Sequence, residues 1–257
     1  MMVWARRRWM AMLLAAAAPW ACQVALAGLV EVVAAAKPAV LAVGVFNATT
    51  SPRFTFRGTG FVVGDGTLLL TNLHVLPDPA DTTFGNQLRV VGVNKGAVVE
   101  RVATLLQSDA VHDLALLRIE GAALPALKLA GADSVAEGTE VAFVGYPIGS
   151  SLGLTPVTHR GIVSAVTSIV LPPANARSLT GRAAAQLRDG AFPIYQLDAT
   201  AYPGNSGGPL IDVESGRVVG VVNMVLLKGT HESAMSRPSG ISYAIPVRHV
   251  IELLARP

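Results

Sequence analysis

The sequence predicts an all-β protein made of two six-stranded antiparallel β-barrels, with a short helix at each end. About a dozen short apolar runs lie close together along the chain, and turn signals separate them. Almost no helical periodicity occurs between these runs. A segment near 121–139 divides them into two halves of similar size. The same strand pattern also suits a β-sandwich, which is the alternative to a pair of barrels.

The first 27 residues are predicted to be an export signal. The basic residues Arg6 to Arg8 precede the apolar run WMAMLLAAAA, and Ala25 to Ala27 (ALA) fit a small-x-small cleavage site. Three alternatives stay open. RRRWM loosely resembles a twin-arginine signal, residues 9–30 carry no charge and are long enough for a membrane anchor, and Cys22 could carry a lipid.

Removal of this segment would change both the charge and the cysteine content. The chain has 20 basic and 17 acidic residues, and residues 1–27 hold three arginines and no acid, so 17 of each would remain. A neutral domain gives no reason to expect a nucleic acid partner. Cys22 is the only cysteine, so we expect the exported domain to have no disulfide and to be stabilised by packing.

Each element is predicted from its local pattern, in chain order. GLVEVVAAA (28–36) is expected to form a helix that ends before Lys37-Pro38. The strands of the first half are expected in AVLAVGVF, GTGFVV, TLLLTNLHVL, QLRVVGV, AVVERVATLLQ and LALLRIE. Those of the second half are expected in TEVAFVGYP, GIVSAV, YQLDA, GPLIDV, RVVGVVNMV and ISYAIP. PVRHVIELLA begins with Pro246 and has apolar residues at helical spacing, which predicts an amphipathic helix over 246–255.

Turn signals set the expected limits of the two barrels. Hairpin turns are expected at Gly64-Asp65-Gly66, Asn94-Lys95-Gly96 and Glu214-Ser215-Gly216. Exposed loops are expected over 77–86, 172–192 and 228–240. Within one domain over 28–257, the first barrel should extend over about 38–125 and the second over about 138–245.

The segment AYPGNSGGPL (201–210) places Ser206 among three glycines. Glycine costs conformational entropy on folding, so the cluster needs a physical reason. One reason is a loop whose amide N–H groups converge on a single oxygen, and another is a tight turn between strands. A serine hydroxyl becomes a nucleophile only when a base takes its proton and a third group orients that base.

His74 and Asp113 are the candidates for the base and the orienting group. Of the five histidines, only His74 ends a strongly apolar run, LLLTNLHVL, where it would be held rather than solvated. A lone histidine there is more often structural than catalytic. Asp113 leads into the apolar strand LALLRI, where a carboxylate needs a partner. Only together with Ser206 do these two residues indicate a catalytic site.

The order His74, Asp113, Ser206, in a chain of two β halves, resembles that of the chymotrypsin-type serine proteases. The chain is similar to the protease domain of the HtrA (Deg) family over about residues 29–252. The shared blocks are GTGFVV, LLLTNLHVL, HDLALLRI, VAFVGYPIG, THRGIVSAV, QLDATAYPGNSGGPL and GISYAIP, in the family's order. The resemblance implies a chymotrypsin fold and an exported serine endopeptidase that hydrolyses unfolded or damaged proteins without a cofactor or metal.

The resemblance also implies roles for individual residues. Ser206 would attack the peptide carbonyl, His74 would carry its proton to the leaving amine, and Asp113 would fix the imidazole tautomer. The loop Gly204, Asn205 and Ser206 would form the oxyanion hole, with the N–H groups of Gly204 and Ser206 as its donors. Asn205 replaces the acid that zymogen-activated relatives pair with a new N-terminus, so we do not expect activation by proteolytic trimming.

The pocket for the residue before the cut is also implied by the resemblance. Thr200 would form its floor, and Asn223, Met224 and Val225 its wall. This pocket has no carboxylate for Arg or Lys, so cleavage after small aliphatic residues is expected. Asp109 is expected to be a turn residue, and His112 to point away from the site as a neighbour of Asp113 on an extended segment.

The resemblance also bears on the protein's partners, and two functions other than that of a peptidase are alternatives. Members of the family typically carry PDZ domains after the protease, none is seen in this sequence, and a trimer is one expected form of assembly. An esterase with a nucleophile elbow at 204–208 would need the order Ser, acid, His and a helix after the serine, neither of which the sequence offers. A non-catalytic binding or chaperone module on the same fold is the other alternative.

Overall fold

The computed structural model describes residues 28–78, 85–94, 96–133, 135–147, 155–169, 192–224 and 240–256. The first half contains helix α1 (Leu29–Ala36) and strands β1 (Val40–Phe46), β2 (Phe54–Val63), β3 (Leu68–Asn72), β4 (Gln87–Asn94), β5 (Ala97–Asp109) and β6 (Leu114–Ile119). The second half contains β7 (Glu140–Gly145), β8 (Val157–Ile169), β9 (Phe192–Asp198), β10 (Pro209–Asp212), β11 (Val218–Asn223), β12 (Ile241–Pro246) and helix α2 (Val247–Leu254). Both predicted helices and all the predicted strands are present, which confirms the fold class.

The strands of each half close into an antiparallel barrel. The order in the first barrel is β1-β2-β3-β6-β5-β4, closed by pairing of β4 with β1. The order in the second is β10-β11-β12-β9-β8-β7, closed by pairing of β7 with β10. Closure pairs both edges of every barrel strand that the structure describes. The barrels, rather than the sandwich, are therefore the observed architecture.

Several strands are longer than their apolar runs indicated, most of all β2 and β8. β2 begins at Phe54, four residues before GTGFVV, because the exposed Thr55 and Arg57 alternate with half-buried phenylalanines and interrupt the apolar run. β8 extends on both sides of GIVSAV, where polar residues at 158–160 and 167–168 interrupt the apolar run. Alternation of exposed and buried positions is the usual pattern of a strand with one solvated face.

Three of the buried apolar clusters in the described part of the chain fill the two barrels and their junction. The first barrel is filled by residues such as Leu41, Val62, Leu69 and Leu117, and the second by Phe143, Leu197, Leu210 and Val222. The third cluster lies between the barrels and includes Phe61, Val144, Ile211 and Ile245, with contributions from both helices. The barrels therefore share one continuous core at their junction.

Tyr146, which follows β7, adds a polar contact to this junction. Its hydroxyl donates a hydrogen bond to the carbonyl oxygen of Val40 in β1, at 3.1 Å. Burial raises the pKa of Tyr146 to about 12, so the hydroxyl keeps its proton and remains a donor.

Several sequence-based predictions concern segments that the structure does not describe. The export signal or anchor (1–27) lies outside the described residues, and so do most of the three predicted loops, over 79–84, 170–191 and 225–239. Of the helices in the described part of the chain, none has the length and apolar character needed to cross a membrane.

Candidate active site

The three residues singled out from the sequence lie at the ends of strands from both barrels. His74 sits in one turn of 3₁₀ helix (Leu73–Val75) directly after β3, and Asp113 in the tight turn between β5 and β6. Ser206 lies in the loop between β9 and β10. The first barrel thus carries the histidine and the aspartate, and the second carries the serine.

His74 and Asp113 are joined through both side chain and backbone. His74 Nδ1 and Asp113 Oδ2 are 2.5 Å apart, and the His74 backbone N–H donates to Asp113 Oδ1 at 2.9 Å. Only 7% of the His74 side chain and 14% of the Asp113 side chain are exposed. A carboxylate at Nδ1 favours the tautomer with the proton on that nitrogen. Nε2 is then free to accept a proton, as a general base must.

The backbone of Asp113 is shaped for the same contact. Its φ angle is 53°, in the left-handed region that aspartate tolerates better than most residues. In this conformation its carbonyl oxygen accepts hydrogen bonds from the Leu73 N–H and the Asn72 side chain, each at 3.0 Å. The turn that carries His74 is therefore fastened to Asp113 at several points.

Asn223, the last residue of β11, contributes a further contact to this pair. Its side-chain amide donates to Asp113 Oδ2 at 2.8 Å, although Asn223 belongs to the second barrel. We predicted a place for Asn223 in the wall of the substrate pocket, which stays a prediction, and the structure shows in addition that its side chain contacts the carboxylate. Sequence reasoning missed this contact, although the need of a buried carboxylate for more than one donor was a usable signal.

Ser206 is almost fully buried, with 5% of its surface exposed. Its Oγ accepts a hydrogen bond from the Met224 N–H at 3.2 Å, and within the described residues no hydrogen bond joins it to His74. Because the hydroxyl accepts from Met224, its own hydrogen remains available for donation to a base.

The loop before Ser206 has the conformation that its glycines permit. Gly204 has a φ of 103°, and a Cβ atom there would lie 2.3 Å from the Tyr146 carbonyl oxygen. The Asn205 N–H donates to the Tyr202 carbonyl at 3.0 Å. Among the described residues, the N–H groups of Gly204 and Ser206 have no acceptor. These two amides are therefore the available donors on either side of Asn205.

Thr59 of β2 connects the first barrel to this loop. Its hydroxyl donates to the Gly204 carbonyl at 2.6 Å and accepts from the Tyr146 N–H at 3.1 Å. Its backbone N–H donates to the Ser206 carbonyl at 2.9 Å. The serine loop is thereby held by the barrel that carries His74 and Asp113.

The predicted substrate pocket is partly described. Ser242 of β12 fixes the segment around Thr200, because its Oγ accepts from the Ala201 N–H and donates to the Ala199 carbonyl. The side chain of Met224 is buried in the same apolar cluster as both alanines. Val225 lies outside the described residues. Of the predicted pocket residues that the structure describes, Met224 is apolar, Thr200 lies between the two buried alanines, and the pocket itself stays a prediction.

Asp109 and His112 lie next to the site without entering it. Asp109 Oδ1 accepts from the N–H groups of Val111 and His112, each at 3.0 Å, which confirms it as a turn residue. The His112 ring stacks on His249 of α2, with ring centres 3.7 Å apart. Burial would raise the pKa of Asp109, but hydrogen bonds from His112 and Arg256 outweigh it and hold that pKa well below its usual range. Within the described part of the chain, no group of side chains is suited to hold a metal ion.

The comparisons with known proteins agree with this geometry. Residues 58–221 match the model of the trypsin-like peptidase domain. A probable periplasmic serine endoprotease (DegP-like) of Marinomonas is 34% identical over 189 residues, which are 74% of this chain and 33% of the relative. The mitochondrial serine protease HTRA2 of Drosophila pseudoobscura is 32% identical over 202 residues, which are 78% of this chain and 39% of the relative. The chain thus spans about a third of the length of the curated relatives it matches.

Solved structures show the same likeness. The crystal structure of Deg5 is 25% identical, with a TM-score of 0.60, and the match covers 87% of this chain and 90% of Deg5. A serine endoprotease from Yersinia pestis is 27% identical, with a TM-score of 0.57, and the match covers 87% of this chain and 64% of that one. Since the family model spans more than half of the sequence, the chain belongs to the trypsin-like peptidase family, with HtrA and Deg proteases among its relatives.

Proposed function

We propose that the chain is a serine endopeptidase in which Ser206 is the nucleophile, His74 the base and Asp113 the residue that orients the base. The observation that carries the proposal is the bond between His74 Nδ1 and Asp113 Oδ2, which leaves Nε2 as the proton acceptor. The Ser206 loop of the other barrel lies against the same junction, through its contact with Thr59.

The chemistry follows from these positions. His74 Nε2 takes the hydroxyl proton as Ser206 Oγ attacks the carbonyl carbon of the scissile peptide. The negative charge that develops on the carbonyl oxygen is received by the free N–H groups of Gly204 and Ser206. His74 then gives its proton to the leaving amine, and water hydrolyses the acyl-enzyme through the same groups. Each oxyanion donor commonly lowers the barrier by about 3 kcal/mol.

The described part of the pocket supports a preference for small aliphatic residues before the cut. Met224 and the alanines on either side of Thr200 are apolar and buried, and Thr200 brings no negative charge for Arg or Lys. Differences of one methylene in such a pocket change the barrier by only about 1–3 kcal/mol. We therefore propose a broad specificity centred on Val, Ala, Ile and Thr.

We also propose an exported, periplasmic enzyme that degrades unfolded proteins. This rests on the signal-like residues 1–27 and on relatives that are named periplasmic serine endoproteases. Retention of the N-terminal segment as an anchor, and assembly into a trimer, are the accompanying hypotheses on location and oligomeric state.

A fluorophosphonate probe, which labels an activated serine covalently, tests the proposed nucleophile. We expect the probe to label the wild-type protein and to fail on Ser206→Ala, which should remain folded because glycines carry the loop geometry. Ser215→Ala, an exposed serine in the turn between β10 and β11, is the matched control and should be labelled normally. A folded wild-type protein that is not labelled would favour the non-catalytic binding module, and labelling of Ser206→Ala would place the nucleophile elsewhere.

A further inference from the structure

His159 of β8 lies against the loop that carries the nucleophile. The side-chain amide of Asn205, the residue before Ser206, donates to His159 Nε2 at 3.4 Å. The ring of Tyr202, at the start of the same turn, is 6.0 Å from the His159 ring. The backbone of Asn205 is bonded to that of Tyr202. One imidazole therefore contacts both ends of the turn that leads into Ser206.

The His159 ring is itself held in place by the second barrel. It stacks on the Phe143 ring, with centroids 4.8 Å apart and planes within 15° of parallel. Phe143 is fully buried, and the two residues are direct partners in the pairing of β7 with β8. Because stacking and strand pairing fix the position of this ring, a hydrogen bond to it restricts the position of the loop.

The contact matters because Asn205 has no other side-chain hydrogen bond among the described residues. Asn205 is completely buried, and its Oδ1 atom is without a partner there. Loss of the bond to His159 would leave the whole carboxamide buried and unsatisfied, which destabilises the observed loop conformation. That conformation places the free N–H groups of Gly204 and Ser206 on either side of Asn205.

We propose that His159 is a positioning residue that fixes the oxyanion loop by accepting a hydrogen bond from Asn205 through Nε2. This inference rests on the proposed peptidase function of Ser206. It adds a fourth side chain to the machinery, one that contacts neither the substrate nor the reacting atoms and acts only through the loop.

The contact depends on the protonation state of His159. A protonated imidazole carries hydrogen on both nitrogens, so Nε2 could no longer accept from the amide. Tyr202 is the titratable side chain that faces the ring among the described residues, whereas Arg160 projects from the opposite face of β8 and pairs with Glu140 of β7. Burial lowers the pKa of His159, which keeps the ring neutral and the contact intact near neutral pH.

Two substitutions separate the hydrogen bond from the packing. His159→Phe keeps the stack on Phe143 but removes the acceptor, whereas His159→Gln places an amide oxygen near the position of Nε2. For the fluorophosphonate probe, we expect the maximal labelling rate of His159→Phe to fall about tenfold or more with little change in probe affinity, and His159→Gln to recover most of it. His249→Phe makes the same change at a buried, stacked histidine of α2 and should label like the wild type.

The pH profile gives a second readout. Because a protonated His159 could not accept from Asn205, the labelling rate of the wild type should fall more steeply with decreasing pH than that of His159→Gln, in which no imidazole titrates at this position. Equal rates for His159→Phe and wild type, or an equally steep fall in His159→Gln, would overturn the proposal.

A measurement that needs no activity keeps the inference separate from the proposed function. Nitrogen-15 NMR of the His159 ring in Ser206→Ala at neutral pH should show Nδ1 protonated and Nε2 bare. A proton on Nε2 would refute the inference even if the protein is an active peptidase. Conversely, a bare Nε2 in a protein that the probe does not label would leave the contact standing and refute the peptidase function.

Discussion

Replacement of Thr59 by valine tests how the two barrels are joined at the active site. Valine has nearly the same shape as threonine but no hydroxyl, so the Gly204 carbonyl and the Tyr146 N–H both lose the only partner they have among the described residues. A buried polar group left unpaired costs about 1–3 kcal/mol. Tyr146 is 1% exposed, whereas Gly204 is half-buried and can recover part of the loss from water. We therefore expect the free energy of unfolding to fall by about 2–4 kcal/mol.

Urea denaturation of Thr59→Val measures this loss, and probe labelling measures its effect on the loop. Thr59→Ser keeps the hydroxyl and removes one methyl group, so it should lose only about 1 kcal/mol and keep its labelling rate. The labelling rate of Thr59→Val should fall with its stability, because Gly204 would no longer be held. A free energy within 0.5 kcal/mol of wild type, or a larger loss in Thr59→Ser than in Thr59→Val, would refute this account of the junction.

Three further predictions concern the site and its surroundings. Asp113→Asn should reduce labelling by about 10⁴-fold with the fold retained, because an amide at Nδ1 no longer selects the base tautomer; a loss below tenfold in a kinetic assay would contradict this. The free energy of unfolding should decrease as the pH falls below about 6.5, because burial lowers the pKa values of His159 and His249 and the unfolded chain takes up their protons first. It should decrease again below about pH 4, as the unfolded carboxyl of Asp109 protonates before the folded one. In urea titrations the first step should be smaller in His249→Phe than in the wild type, and a step of unchanged size would exclude a contribution from His249. Sequencing of peptides from a digest of unfolded protein should find most cuts after Val, Ala, Ile or Thr, and a majority after Arg or Lys would contradict the proposed pocket.

The fold could be predicted because its signals are local. Each barrel strand carries an apolar run of its own. Turns such as Gly64-Asp65-Gly66 can be identified by glycines, which readily adopt positive φ angles. The positions of His74, Asp113 and Ser206 also followed from motifs within a few residues of each. The exposed ends of β2 and β8 did not, because polar positions there interrupt the apolar pattern.

The contacts between distant segments could not be predicted in this way. The family resemblance placed Asn223 in a pocket wall, but gave no sign that its side chain contacts Asp113, 110 positions away in the chain. The hydrogen bond between Asn205 and His159 likewise joins positions 46 apart. Neither contact has a sequence signature. An asparagine can line a pocket, cap a turn or support a catalytic group, and the residues next to it in the sequence do not distinguish these roles.

The way the serine loop is held sets an order of events during synthesis of the chain. The N–H of Gly207 bonds to the Val222 carbonyl, and Ser206 Oγ accepts from the Met224 N–H. Val222 and Met224 leave the ribosome after Ser206. The second barrel closes only when β12 has also been synthesised. Until then, a nascent chain has no ordered nucleophile, and its histidine–aspartate pair still lacks the hydrogen bond from Asn223. The peptidase therefore has no complete active site until the last strand of the second barrel has been synthesised.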